Sequence, residues 1–410
     1  MTRAVYLVGG AVRDELLGLP CKEKDWVVTG CTPEELLAEG YRQVGASFPV
    51  FLHPQTGEEY ALARTERKQG HGYHGFTVDF HPGVTLEEDL ARRDLTINAM
   101  ARDGQGRLID PFGGQRDLEN RSLRHVCAAF REDPLRVLRV ARFAARFAPL
   151  GFGVHPGTLD LMREISASGE IGHLVPERVW AEVAGAMGAA EPGRFVEVLR
   201  DCGALRLLLP EVDGLFGVPQ PPEFHPEIDT GAHVLMAMNL AARGGASAQV
   251  VFALMLHDLG KGLTDPAQWP AHVGHETSGI PLLEQVCARL RAPAAYRDLA
   301  LIVCKLHLRA HRICEMRPGS LMRLIEDAGL LRRPELLEDF LAACEADYRG
   351  RQGREDRPYP QAARLRTALA AARRIQARDL DTEGMAGPQI GALLREARVA
   401  AIADSVNPED

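Results

Sequence analysis

No apolar run reaches the roughly 18 residues that a membrane-spanning helix needs, and the N-terminus lacks the pattern of a secretory signal. Export and membrane insertion are therefore not expected. The eight cysteines are scattered without a CxxC pair, which argues against a disulfide framework or zinc ribbon and for reduced thiols in a cytoplasm. Internal repeats and low-complexity tracts are absent as well. So is any general excess of positive charge, the formal net charge being −8. Spread evenly, that charge would speak against a nucleic-acid partner, because phosphates are neutralised by local cations. It is not spread evenly, since arginines concentrate between Arg92 and Arg146. At 410 residues the chain exceeds one ordinary core and suggests roughly two to four domains.

The first 26 residues carry the most information. YLVGGAVRDELLGLPCKEKDW (Tyr6 to Trp26) reads as an apolar strand, a Gly9-Gly10 turn, a helix start bearing Arg13, and then Glu23 and Asp25 on a second strand. Glycine lets backbone approach a triphosphate closely, and a helix N-terminus favours an anion. Residues two apart on a strand share a face, so both carboxylates can hold Mg²⁺ as hard oxygen ligands. Taken singly, a Gly-Gly turn or an acid-x-acid pair is commonplace. In this order they read as the start of a nucleotidyltransferase site. GEEYALARTER (Gly57 to Arg67) reads as a further strand on which Glu59 shares a face with Ala61 and Ala63, with Glu58 as the adjacent alternative. Lys68 to Phe76 is a glycine-rich loop in which His71 and His74 are expected to be loop residues rather than ligands.

Two arginine segments follow. Thr85-Leu86-Glu87-Glu88 has the pattern of a capping box and predicts a helix opening at Thr85, with Arg93 on or near it facing the metal strand; Asp94 and Asn98 stand at i and i+4 and can brace one another. In EDPLRVLRVARFAARF (Glu132 to Phe147), a helix of about 100° per residue puts Arg136, Arg139, Arg142 and Arg146 in one arc. Such a stripe demands phosphates or acids. A salt-bridged surface helix would interleave acids at i+4, and none follow Asp133 within the segment.

The glycine turn, the acid pair, RRDLTINAM (Arg92 to Met100) and EDPLR (Glu132 to Arg136) together resemble the class II tRNA nucleotidyltransferases, the CCA-adding enzymes, and their relatives the bacterial poly(A) polymerases. The family usually writes the metal pair as Asp-x-Asp, and Glu23 keeps the charge. The resemblance implies Glu23, Asp25 and Glu59 as catalytic carboxylates, with Glu23 and Asp25 on Mg²⁺. Asp133 and Arg136 would read the incoming base without a nucleic-acid template, and Gly10, Arg13, Arg93, Arg139 and Arg142 would hold the phosphates and sugar of CTP or ATP. Arginine is all donor and ionised aspartate all acceptor, a complement to the edges of cytosine and, after adjustment, adenine.

After Phe147 the pattern is helical almost throughout, up to the proline-rich break VPQPPEFHPE (Val218 to Glu227), which marks a domain boundary. Beyond it stand His233, LMLHDLGKG (Leu254 to Gly262) with His257-Asp258 inside an apolar helix ended by Gly260, then His275, His307 and Asp347. Imidazoles with carboxylates suit a first-row divalent ion such as Ni²⁺. This constellation resembles the HD phosphohydrolase domain carried by one branch of bacterial CCA-adding enzymes. It implies His233, His257, Asp258 and Asp347 as core ligands, with His275 and His307 as auxiliary ligands or phosphate contacts. Some members follow the later histidine with aspartate, whereas this chain has Leu308.

The expected architecture is multi-domain α+β. A small mixed α/β nucleotidyltransferase head (1–135) precedes an all-α neck and body (136–225), the HD domain (226–348) and a helical tail (349–410). The expected partners are the tRNA 3′ end, ATP and CTP, with no membrane, in a monomer or homodimer. The alternatives are a poly(A) polymerase, whose long basic C-terminal extension is not seen before Asn407-Pro408-Glu409-Asp410, and a non-catalytic RNA-binding member of the family, which loss of a metal acid would mark.

Overall fold

The computed structural model describes residues 2–21, 23–44, 50–68 and 76–405, without the side chains of 66–68 and 76–78. His71 and His74 lie outside the described residues. The chain separates into two compact units, Met1–Ala186 with Arg194–Leu208, and Met187–Gly193 with Leu209–Asp410.

In the first unit the strands are β1 (Ala4–Val8), β2 (Asp25–Thr29), β3 (Arg42–Val44), β4 (Val50–Leu52), β5 (Glu59–Leu62), β6 (Thr65–Lys68), β7 (Phe76–Asp79), β8 (Ala101–Arg102) and β9 (Leu108–Ile109), with a short parallel pair, Ser122–Leu123 and Gly153–Val154, beyond them. Seven of them form a mixed sheet in the order β3-β4-β5-β2-β1-β8-β9, and β6 and β7 pair separately. Alternation along β2 separates two cores. Val27 joins Val8, Ala63, Leu90 and Ala99 on one face, while Val28 joins Leu36, Phe51 and Leu62 on the other. Phe51 and Leu36 are fully buried, each contributing about 1.5–3 kcal/mol by leaving water. The expected capping box is present: Thr85 Oγ1 accepts from Glu88 N at 3.1 Å, Glu88 accepts from Thr85 N at 2.8 Å, and the helix runs Leu86–Ala91.

One detail differs from expectation. Glu23 precedes β2 rather than lying on it, because the ladder with β1 ends at the pair Val8–Asp25 and Gly9 then turns the partner strand into the helix Gly10–Leu16. Among the described residues no strand pairs with Glu23.

The second unit is helical, from Thr230–Arg243 to Gly387–Ser405. Its centre is Ala248–Leu256, buried from Val250 to Leu256 and packed against Thr230–Arg243, Ala294–His311 and Leu336–Arg349. A helix apolar on every side belongs in such a position. No helix among the described residues is long and apolar enough to cross a membrane.

Candidate active sites

The head site opens at the turn after β1. Gly9 has φ +69°, a left-handed conformation that favours glycine, and the Arg93 guanidinium lies close over it. The parallel pairing of β2 with β5 sets Asp25 opposite Glu59. Glu23, Asp25 and Glu59 line one cavity of about 760 Å³, whose lining does not include Glu58; Glu58 accepts from Trp26 Nε1 at 3.0 Å and borders a smaller neighbouring cavity. Protein packed around the Asp25 carboxyl raises its pKa above the ordinary value, opposed by Arg93 and reinforced by Glu23. A cation would relieve that strain. The oxygens of these three residues do not all come within 4.8 Å of one another, whereas in the second unit His233, His257 and Asp347 form one such trio and Asp258, His275 and His307 another. That suits Mg²⁺, which usually takes one or two carboxylates and completes its shell with water and substrate phosphates.

The same cavity is lined by nine arginines against five carboxylates, a positive surplus matched to a triphosphate. Gly10, Arg13, Arg93, Asp133, Arg136, Arg139 and Arg142 are all in the lining, as are Arg146 and Arg178. The helix Leu135–Phe147 carries the arginine stripe, and its acids come from other elements rather than from i+4. Arg139 Nε donates to Asp94 at 2.8 Å, Arg142 Nε to Glu182 at 2.5 Å and Arg146 Nη2 to Asp14 at 3.0 Å. Asp94 also accepts from Asn98 Nδ2 at 2.9 Å, the brace expected from their spacing, and Asn98 Oδ1 accepts from Arg13 Nη1 at 2.5 Å. Burial alone would raise the Asp94 pKa, but Arg139 and these hydrogen bonds outweigh it and bring it to about 2. Arg13 is thus held between Asp14 and Asn98 as a buried strut beside Phe143 and Phe147.

The side chains of Asp133 and Arg136 do not pair with each other, although Arg136 N donates to Asp133 O at 3.0 Å. Asp133 accepts from Arg178 Nη2 at 2.7 Å and Leu135 N at 3.1 Å, and Arg136 donates to Ala129 O at 2.9 Å and Arg92 O at 2.5 Å. These contacts use only part of the five donors and four acceptor sites available, leaving capacity for a base. Arg178 and Glu182 carried no signal in the sequence, because each lies about 40 residues from the group it holds.

In the second unit, His257-Asp258 sits just beyond Ala248–Leu256 rather than inside the helix. The chain there tightens into a 3-10 turn, Leu259–Leu263, seated so closely on the next helix that a Cβ at Gly260 would meet His275 O at 2.1 Å. His233, His257, Asp258, His275, His307 and Asp347 are all buried and come together. His233 Nε2 lies 2.9 Å from Asp347 Oδ1, and His257 Nε2 lies 3.2 Å from Asp258 Oδ2 and 3.6 Å from Asp347 Oδ1. His275 Nε2 and His307 Nε2 lie 3.2 and 3.6 Å from Asp258 Oδ1.

The donor set fits a divalent cation. His257, His275 and His307 each turn Nδ1 toward a backbone carbonyl, at 2.7 Å from Leu254 O, 2.7 Å from His272 O and 3.0 Å from Cys304 O, which leaves Nε2 as the ligating atom. His257 Nε2 and Asp258 Oδ1 are buried without a hydrogen-bond partner. Burial disfavours a charged His257 ring, yet Asp258 and Asp347 outweigh it and drive its pKa well up; a bound cation meets the same demand.

Several contributors were not anticipated. The proline-rich segment is no simple linker, since Gln220 accepts from Lys261 Nζ at 2.6 Å, and Lys261 in turn holds Asp258 at 2.6 Å. Glu227, with a side chain 4% exposed, stands 3.1 Å from His233 Nδ1 and 2.9 Å from His225 Nδ1. His311 Nε2 holds the second oxygen of Asp347 at 2.8 Å. Only a second His at i+4 from His307 hinted at the last of these. All eight cysteines are free thiols.

Residues 5–124 match the poly A polymerase head domain, 151–215 the probable RNA and SrmB-binding site of polymerase A, and 230–408 the HD domain. A multifunctional CCA protein of Thioalkalivibrio sulfidiphilus is 60% identical over 397 residues, covering 97% of each chain. The chain belongs to the multifunctional CCA protein family. It is accordingly a CCA tRNA nucleotidyltransferase carrying an HD domain, with the mixed head and helical remainder of that class. Among solved structures, the Bacillus stearothermophilus CCA-adding enzyme in complex with CTP is 25% identical, with a TM-score of 0.65 over 99% of this chain and 90% of that one. The Thermotoga maritima CCA-adding enzyme complexed with tRNA shares the fold at 18% identity, with a TM-score of 0.63 over 99% of this chain and 88% of that one.

Proposed function

We propose that the head builds and repairs the 3′-terminal CCA of tRNA from CTP and ATP without a template. The HD domain acts in turn as a phosphatase, 2′-nucleotidase and 2′,3′-cyclic phosphodiesterase. The observation that carries the first part is the presence of Asp133 and Arg136 in the same cavity as Glu23, Asp25 and Glu59. Base-reading groups and metal carboxylates then face one substrate. Divalent ions on Glu23 and Asp25, Mg²⁺ in this reading, would lower the pKa of the attacking hydroxyl and neutralise the departing pyrophosphate. Arg93, above the glycine turn, holds phosphate oxygens, and the network from Arg146 through Asp14, Arg13, Asn98 and Asp94 to Arg139 fixes the cationic wall before substrate arrives. Arg136 and Asp133 pair with cytosine or adenine, while uracil and guanine leave buried groups unpaired.

Two variants test this reading. Arg136→Ala is expected to raise UTP or GTP use relative to CTP and ATP by about tenfold or more. Arg93→Ala should instead raise KM for CTP and ATP about equally, with Asp89 still held by Arg92 at 2.6 Å. Incorporation of each labelled NTP into tRNA transcripts ending before, within and after CCA measures both; equal losses for all four nucleotides in both variants would refute the template role.

For the second site, His233, His257, Asp258 and Asp347 would hold a transition ion such as Ni²⁺, with His275 and His307 beside it. Such an ion would supply Lewis acidity and lower the pKa of a water. The Glu227 carboxylate stands 3.1 Å from His233 Nδ1 while Nε2 lies 2.9 Å from Asp347 in the cluster, an arrangement in which Glu227 would favour the ring orientation that leaves Nε2 to a metal. Glu227→Gln is therefore expected to weaken Ni²⁺ binding by about 10–100-fold in a calorimetric titration of the apoprotein. Unchanged affinity would leave Glu227 without a positioning role. In this reading the domain limits are 1–135, 136–225, 226–348 and 349–410, and the protein is a cytoplasmic monomer or homodimer.

A further inference from the structure

The helix Ala294–His311 carries different chemistry on different sides. His307 and His311 turn into the HD cluster, but Leu308, about 100° further round, is 40% exposed. The position at which other HD members place an aspartate therefore faces away from the metal-binding groups. Leu308 instead lines a separate cavity of about 740 Å³ together with Arg309, Arg312, Met316, Arg317 and Arg323. Arg309 is engaged by Asp327 at 2.5 Å, and Arg312 by Glu315 at 3.1 Å. Arg317 and Arg323 have no ion-pair partner among the described residues, so the cavity keeps an uncompensated positive charge in a chain whose net charge is −8. Leu308 and Met316 add an apolar wall. The guanidiniums call for a polyanion, and the polyanion that a CCA tRNA nucleotidyltransferase must hold is tRNA. A nucleotide unit of RNA can use both features, its phosphate on the arginines and its base in apolar contact with the wall.

We propose that this cavity docks a phosphodiester unit of the bound tRNA, with phosphate on Arg317 and Arg323 and an unstacked base against Leu308 and Met316. The inference rests on tRNA being the substrate. It also gives the Leu308 departure a reason, since an aspartate there would set a negative charge among the arginines that receive phosphate.

The test uses the full chain with three changes: the double variant Arg317→Ala with Arg323→Ala, then Leu308→Asp, then Leu308→Asn as a neutral control. The affinity for a tRNA transcript lacking CCA is measured across a KCl series. The KM for CTP, Ni²⁺-dependent hydrolysis of p-nitrophenyl phosphate and the melting temperature are followed in parallel. The double variant should bind tRNA about tenfold more weakly, with the slope of log K against log salt reduced by about 1 to 2. Leu308→Asp should weaken binding similarly and Leu308→Asn much less, with the other three readouts unchanged. Wild-type affinity and salt slope in the double variant would overturn the proposal, as would equal losses in Leu308→Asp and Leu308→Asn. Failure of the unmodified protein to bind tRNA or add CCA would instead overturn the reading on which it rests.

Discussion

Asp25→Ala is expected to abolish CMP and AMP incorporation, by about three orders of magnitude or more, while phosphomonoester hydrolysis continues at the wild-type rate. A thousandfold loss corresponds to about 4 kcal/mol of transition-state stabilisation, within reach of a single metal-holding carboxylate. The fold should be unaffected. Asp25 contributes its backbone to the ladder with Val8 and Glu59, and its carboxyl borders a cavity rather than the core. Because the protein around it raises the pKa of that carboxyl, removing it costs no favourable folded-state charge. Single-turnover extension of a tRNA lacking CCA with labelled CTP measures the loss. Normal extension by a folded Asp25→Ala protein would sink the metal assignment.

Asp258 should behave in the converse way. Its carboxylate lies at the meeting point of His257, His275, His307 and Lys261, so Asp258→Ala removes a proposed ligand and leaves the Lys261 ammonium with Gln220 and no acid. Breaking a buried pair from one side costs about 3–5 kcal/mol, and Asp258→Asn is the companion variant that keeps the shape. Both should lose Ni²⁺ stoichiometry and at least about a hundredfold in hydrolysis of 2′,3′-cyclic nucleotides. CCA addition should persist, because the head carboxylates belong to the other compact unit. Metal content, hydrolysis and extension measured on one preparation decide the matter. Retained hydrolysis in a folded Asp258→Asn protein would make the His-Asp pair structural, and lost extension would show that the two activities are not independent.

Local pattern carried a large share of this. The strand, glycine turn and acid pair, the Thr85–Glu88 capping box, the Asp94–Asn98 brace and the arc of four arginines all depend on periods of two to four residues, which a linear chain displays directly. Boundaries were less legible. Glu23 falls short of β2 because the strand opposite it ends at Val8, and His257-Asp258 falls beyond its helix because Gly260 seats the chain on His275.

The sequence by itself determined which chemistries are present and in what order: hard carboxylates and a cationic helix first, imidazoles with carboxylates later. Tertiary structure decided the partners. Pairing of β2 with β5 turned Glu59, not Glu58, toward Asp25, and packing brought Arg146 to Asp14 across 132 positions and His233 to Asp347 across 114. Packing likewise placed Glu227 behind His233. The physical reason is one of range. Hydrophobic period and capping act within a turn or two of backbone, whereas a buried charge is satisfied by whichever group the packed elements carry to it, at any distance along the chain.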